Sequence, residues 1–186
     1  MKTLILSGKY GKTKLTTAKI LAALFFGVLA FTLHVLLAFG LPLAAFGTDG
    51  WNLPLQINGT TVPYPLTFLE GTLINLGVIY LVLLAMIGVT LFLSARMKSP
   101  YLVLTVVVPV LFVPMFLSPN GTSGIYNLLV FLIPYQSLVP NFGSYLSYQF
   151  GPVVLDAFAV RTVLYAGLAL ILLPLAGRGF RRHQAA

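Results

Sequence analysis

Apolar residues run in long unbroken stretches along this chain instead of alternating with polar ones, and each stretch has about the length of a membrane crossing. Ile20 to Phe46, Gly71 to Ala95 and Tyr101 to Leu117 hold no Asp, Glu, Lys or Arg, and Val153 to Ala176 holds only Asp156 and Arg161. Since about 20 residues of helix span a bilayer core, the pattern predicts four transmembrane helices over residues 20–46, 71–95, 101–117 and 153–176. Unbroken runs exclude a β-barrel, whose strands alternate, and lipid requires each crossing to pair its own backbone groups. The expected fold is an all-α integral membrane protein with one transmembrane domain over residues 1–186.

A further apolar segment, Ile125 to Val139, would be only about 22 Å long as a helix, short of the hydrocarbon thickness. It contains Pro134 and ends at Pro140, and a crossing there would carry Arg178, Arg181 and Arg182 to the outer side. We expect a re-entrant or interfacial pair of short helices on the outer side, covered by protein or by a partner subunit. Between the first two spans, Gly, Asn, Thr and Pro54, Pro63 and Pro65 indicate turns and extended chain.

Charge then fixes an orientation. Lys2, Lys9, Lys12, Lys14 and Lys19 precede the first span, Arg96 and Lys98 lie between the second and third, and Arg178, Arg181 and Arg182 follow the fourth. Four crossings put all of these on one side, and the rule that basic residues resist translocation makes it the cytoplasmic one. Asp49, Glu70 and Asp156 fall at or near the opposite face. Both termini are expected in the cytoplasm, as a segment 1–19 and a tail 177–186.

Composition agrees with a lipid surrounding: 59% of residues are hydrophobic and 8% charged, too little polar surface for a soluble domain. The net charge of +8 is explained by the inside rule for ten of the eleven basic residues, and no basic run is interleaved with aromatics. Nucleic acid is therefore not an expected partner. The first apolar run, 27 residues, is too long for a cleavable signal, and the lack of cysteine removes disulfides and thiolate chemistry.

Catalytic patterns are scarce. Gly8-Lys9-Tyr10-Gly11-Lys12-Thr13 ends like a phosphate-binding loop, but two residues separate the glycines where four are needed. We expect no enzymatic activity, cofactor or metal in this chain; His34 and His183 have no second ligand at metal spacing. His34 shares a helix face with Ala23, Gly27 and Ala30, which suits close helix packing or a role in transport. Asp156 stands at the start of the last span, where the helix dipole favours an anion, and Arg161 lies about 7.5 Å deeper, within snorkelling reach of the surface. Anchoring and a substrate or gating contact both fit this pair, and Glu70 and Asn75 invite the same two readings. Pro109 and Pro114 in the third span free backbone carbonyls and supply bend points, as ordinary kinks or as a gate.

Leu6-Ser7-Gly8-Lys9-Tyr10-Gly11-Lys12-Thr13-Lys14, followed by Ala18-Lys19-Ile20-Leu21, resembles the cytoplasmic stretch of type-2 ATP-binding-cassette exporter permeases, in which a basic Gly-Lys or Gly-Arg turn precedes an Ala-Lys-Ile helix start. In that family four spans follow this stretch, with short re-entrant helices before the last, where Ser118 to Leu155 falls here; the family's first two spans have no counterpart. The resemblance implies that Ser7 to Lys19 is a coupling element, a short amphipathic helix and turn that docks a separate ATP-binding subunit through Lys9, Gly11, Lys12, Lys14 and Lys19. It further implies a second permease subunit, with ATP and magnesium held by the ATPase. Residues Arg161, Asp156, His34, Pro109 and Pro114 are the candidates for translocation or gating. A multi-pass protein without ATP coupling (an assembly or immunity factor, or a small channel) and an inactive fragment of a six-span permease are the alternatives.

Overall fold

A computed structural model describes residues 11–59, 62–138 and 142–183, without the side chains of residues 11, 12, 182 and 183. Helix α1 (Gly11–Phe46) is followed by a short 3-10 helix (Leu55–Asn58), α2 (Phe68–Ser94), and α3 (Pro100–Phe112), which tightens into a 3-10 turn (Val113–Phe116). Then come α4 (Ile125–Phe131), a 3-10 turn (Pro134–Ser137), strands β1 (Ser147–Phe150) and β2 (Val153–Asp156), and α5 (Ala157–His183). The chain is mostly helical, and among the described residues three helices are long and apolar enough to cross a membrane, as expected of a membrane protein; Pro100–Phe116 is a shorter apolar helix.

The second expected span is present almost as drawn, with its start moved back to Phe68 by a capping box. The Thr67 hydroxyl accepts from the Glu70 amide, while the Glu70 carboxylate accepts from the Thr67 amide at 2.8 Å. Helix starts leave amides unpaired, and this reciprocal pair satisfies two of them. Thr67→Ala is expected to cost about 1 kcal/mol, read as a lowered unfolding midpoint in detergent.

Packing concentrates between α2 and α5. Gly71, Asn75, Val78, Val82, Ala85 and Gly88 are buried at steps of three and four, one face of a helix. Val78, Val82 and Ala85 form a cluster with Phe158, Tyr165 and Ala169 of α5. Lipid gives helices no hydrophobic reason to associate, so small residues that admit close backbone approach carry such contacts. Gly88 faces Leu172, and Gly179 lies directly over Ala95.

Three expectations are corrected. The fold is not purely helical, since β1 and β2 pair antiparallel from Ser147↔Asp156 to Phe150↔Val153. Val153 to Asp156 was expected to open the last span, but β-branched Val153 and Val154 follow Gly151-Pro152, and Gly151 (φ 61°) starts the two-residue loop as a hairpin requires. The helix begins only at Ala157. The second correction concerns residues 11–19, which form no separate coupling helix and turn but run straight into the span, because nothing between Gly11 and Ile20 breaks a helix. At 36 residues α1 is about 54 Å long, well beyond the roughly 30 Å hydrocarbon core. The third is that the expected span 101–117 is α-helical only to Phe112; Pro114, which has no amide to give Val110, stands at the change to 3-10 geometry.

Candidate functional site

Two ends of the bundle differ in charge. At one, Lys19 Nζ lies 5.1 Å from the centre of the Phe180 ring, and Gly177 rests against Thr16 and Ile20. Ala95, Ala176 and Phe180 pack together there, and Arg96 covers Phe92 at 4.5 Å. Lys14, Lys19, Arg96, Lys98, Arg178 and Arg181, all exposed, belong to this end. Lys9 lies outside the described residues; Gly11 begins α1, and Lys12 follows it in the first turn.

At the opposite end α4 and the turn after it fold back over the start of α5. A seven-residue helix leaves its last four carbonyls without intrahelical partners, and each of them is accounted for. The Tyr148 hydroxyl donates to Leu128 O at 2.8 Å, and the amides of Leu132 and Ile133 donate to Leu129 O and Val130 O. The fourth, Phe131 O, accepts from Arg161 Nε at 2.8 Å. The Tyr165 hydroxyl adds a bond to Leu132 O, and Gln136 Nε2 ties the segment to Leu117 O. Arg161 is therefore not a snorkelling anchor. It is 1% exposed and supplies a cation at the negative end of a helix, where the dipole favours one.

One aromatic ring stands near the rest of the guanidinium. Its carbon lies 5.9 Å from the centre of the Phe158 ring, at the edge of cation–π range, and Phe158 stacks on Phe142 at 4.8 Å with Tyr64 edge-on to both. Arg161 Nη2 has no hydrogen-bond partner. Asp156 makes no ion pair with it; its Oδ1 caps α5 by accepting from the Ala159 amide at 3.0 Å. Burial, with the Asp156 charge adding to it, pushes the Tyr64 hydroxyl up to about 12. Tyr64 thus remains a neutral phenol through the physiological pH range, and it adds no anion to balance Arg161.

Between α1 and α2 lies a cavity of about 620 Å³. The two helices are tied at mid-length, where Thr32 Oγ1 and the Tyr80 hydroxyl share a hydrogen bond of 2.7 Å and Phe31 meets the Tyr80 ring edge-on. Gly27 admits Ile87 close by, as a small residue on that face would. His34 lines the cavity from α1, and Thr72 and Asn75 line it from α2; Asn58 and Phe142 contribute from the covering loops. His34 and Arg161 thus belong to different places. Pro109 is exposed within α3, and Pro114 is buried against the folded-back segment.

No family model, curated protein or solved structure matches this chain. Two residues of the Arg161 network had no role from sequence alone. Tyr165 is four positions after Arg161, a spacing that puts both on one helix face, so the signal was present. Tyr148 needed the hairpin, announced by Gly151-Pro152 between two β-prone runs.

Proposed function

We propose that this chain is a multi-pass permease subunit of the cell membrane, working with a second permease and a separate ATP-binding subunit in an ATP-driven exporter. The observation that supports this reading is the charge polarity of the bundle. Six exposed basic residues gather where Lys19 meets Phe180, while Asp49, Glu70 and Asp156 lie toward the other end. The positive-inside rule assigns the basic end to the cytoplasm, where a soluble ATPase has access to it. In this reading the chain crosses four times, with α3 and its 3-10 turn as the third crossing, about 27 Å long. Both termini are cytoplasmic, and the α4 segment covers the outer end.

The length of α1 gives the mechanism a lever. A helix without a break from Gly11 to Phe46 transmits displacement at Lys14 to His34 and the cavity beyond it. Docking would then use Gly11, Lys12, Lys14 and Lys19 at the basic end of this rod, together with Lys9, which lies outside the described residues, with ATP and magnesium in the partner. Pro109 and Pro114 allow α3 to bend while α2 and α5 move as one body.

The same unbroken α1 favours a second reading, a membrane protein without ATP coupling whose lysines set topology and contact anionic headgroups. Lys12→Glu with Lys14→Glu separates the two. The docking reading expects the double variant to insert normally but lose most of the ATPase that co-purifies with the wild type. Unchanged recovery would remove the lysines from the docking site.

A further inference from the structure

The cavity between α1 and α2 has a chemical signature independent of any ATP coupling. Positions 31, 34, 35, 38 and 39 of α1 face positions 68, 71, 72, 75, 76 and 79 of α2, each set spaced by three and four along its helix. The walls are mostly aliphatic and aromatic, and none of the described lining residues is Asp, Glu, Lys or Arg. Within this apolar lining Asn75 is 8% exposed, and its Oδ1 is buried without a hydrogen-bond partner. A buried amide oxygen left unpaired is unfavourable, a cost that a ligand's donor would offset. Rotation of the amide about χ2 would bring its donor or its acceptor to the cavity, which the His34 imidazole also lines.

The shape extends beyond this polar point. A second recess of about 610 Å³ shares Ala38, Phe39, Phe68 and Thr72 with the first and continues past Pro42 and Trp51. Two adjoining, mostly apolar recesses, with His34, Asn58, Thr72 and Asn75 as the polar side chains of the first, suit an extended chain better than a compact solute. The lining offers no lysine or arginine to a phosphate or carboxylate head, which favours an uncharged one.

We propose that the α1–α2 cavity binds an uncharged amphiphile, an acyl chain carrying a hydroxyl or ester head, with Asn75 and His34 hydrogen-bonding the head and the adjoining recess holding the chain.

The test is photolabelling of the purified full chain in uncharged detergent micelles. The probes are a diazirine-bearing monoacylglycerol and, in parallel, a diazirine-bearing phosphatidic acid of the same chain, with labelled positions mapped by mass spectrometry. The monoacylglycerol is expected to label residues 31–43 and 68–79 and to be displaced there by unlabelled monoacylglycerol. Asn75→Leu should weaken this labelling about tenfold, the effect of one lost hydrogen bond at the upper end of its usual worth, without changing labelling of α3. Ala38→Trp, which fills the shared part of the two recesses from an exposed position, should do the same even if Asn75→Leu folds poorly. Labelling spread evenly over α1 and α3, or insensitive to both variants and to competitor, would overturn the site. Equal labelling by phosphatidic acid would overturn the uncharged head.

Discussion

Arg161→Ala is expected to release the α4 segment from the bundle. The substitution removes the donor of Phe131 O, leaves that carbonyl buried, and opens the space of a side chain that is 1% exposed. A hydrogen bond from a charged group contributes about 1.5–3 kcal/mol, and lost packing adds to it. Relief from burying a guanidinium without an acid offsets part of this, so a net cost of about 2–4 kcal/mol is expected, local to α4 and the turn after it. Hydrogen exchange at residues 126–137 should then accelerate about 30- to 1,000-fold, while α2 keeps its protection. Arg161→Met, which keeps the stem but not the donor or the charge, should accelerate the same amides. Tyr165→Phe, which removes only the bond to Leu132 O, should have a smaller effect. Unchanged exchange in Arg161→Met would show that the aromatic and apolar contacts hold the segment without the cation.

The second large effect is expected at Gly179. A Cβ built there would stand 2.9 Å from Ala95 Cβ, and Ala95 is itself 3% exposed at the end of α2. Neither atom belongs to a flexible side chain, so α2 and α5 must separate at the point where Ala176 and Phe180 also pack. Gly179→Val should cost about 2–3 kcal/mol through overpacking, even after its gain in helix propensity. Gly27→Ala is the internal control. Its Cβ would come to 2.6 Å from Ile87 Cδ1, the free end of a side chain that can turn away, so a near-neutral effect is expected. Thermal unfolding of both variants in one detergent checks the contrast, and equal losses would mean that closeness alone decides the cost.

The long elements were legible in the sequence because length and apolarity suffice to mark a helix in lipid, and α2 and most of α1 were drawn accordingly. The short helical pair was legible too, from Pro134 and a run too short to cross; α4 and its turn occupy most of Ile125 to Val139, of which Val139 lies outside the described residues. The β-hairpin was hidden by the same apolarity, since Val153 and Val154 serve a strand or a lipid-facing helix equally well. Thr67 and Glu70 spelled a capping box that would have corrected the start of α2. For Arg161 the anchoring reading, one of the two, was the informative miss. Its depth along the helix suggested a surface anchor, but burial depends on what folds over the residue, and α4 lies 30 positions earlier in the chain. Asn75 stood out as a polar residue near a span start; only the splay of α1 from α2 gives it a cavity to face.

Affinity purification of the tagged chain from its native membrane in mild detergent, with mass spectrometry of the co-purifying proteins, tests the permease reading most directly. A Walker-motif ATPase is expected with the wild type and is expected to be lost with the Lys12→Glu and Lys14→Glu pair. Recovery of the chain without any ATPase, from membranes shown to contain such subunits, would contradict ATP coupling and leave a multi-pass membrane protein whose basic end serves topology alone.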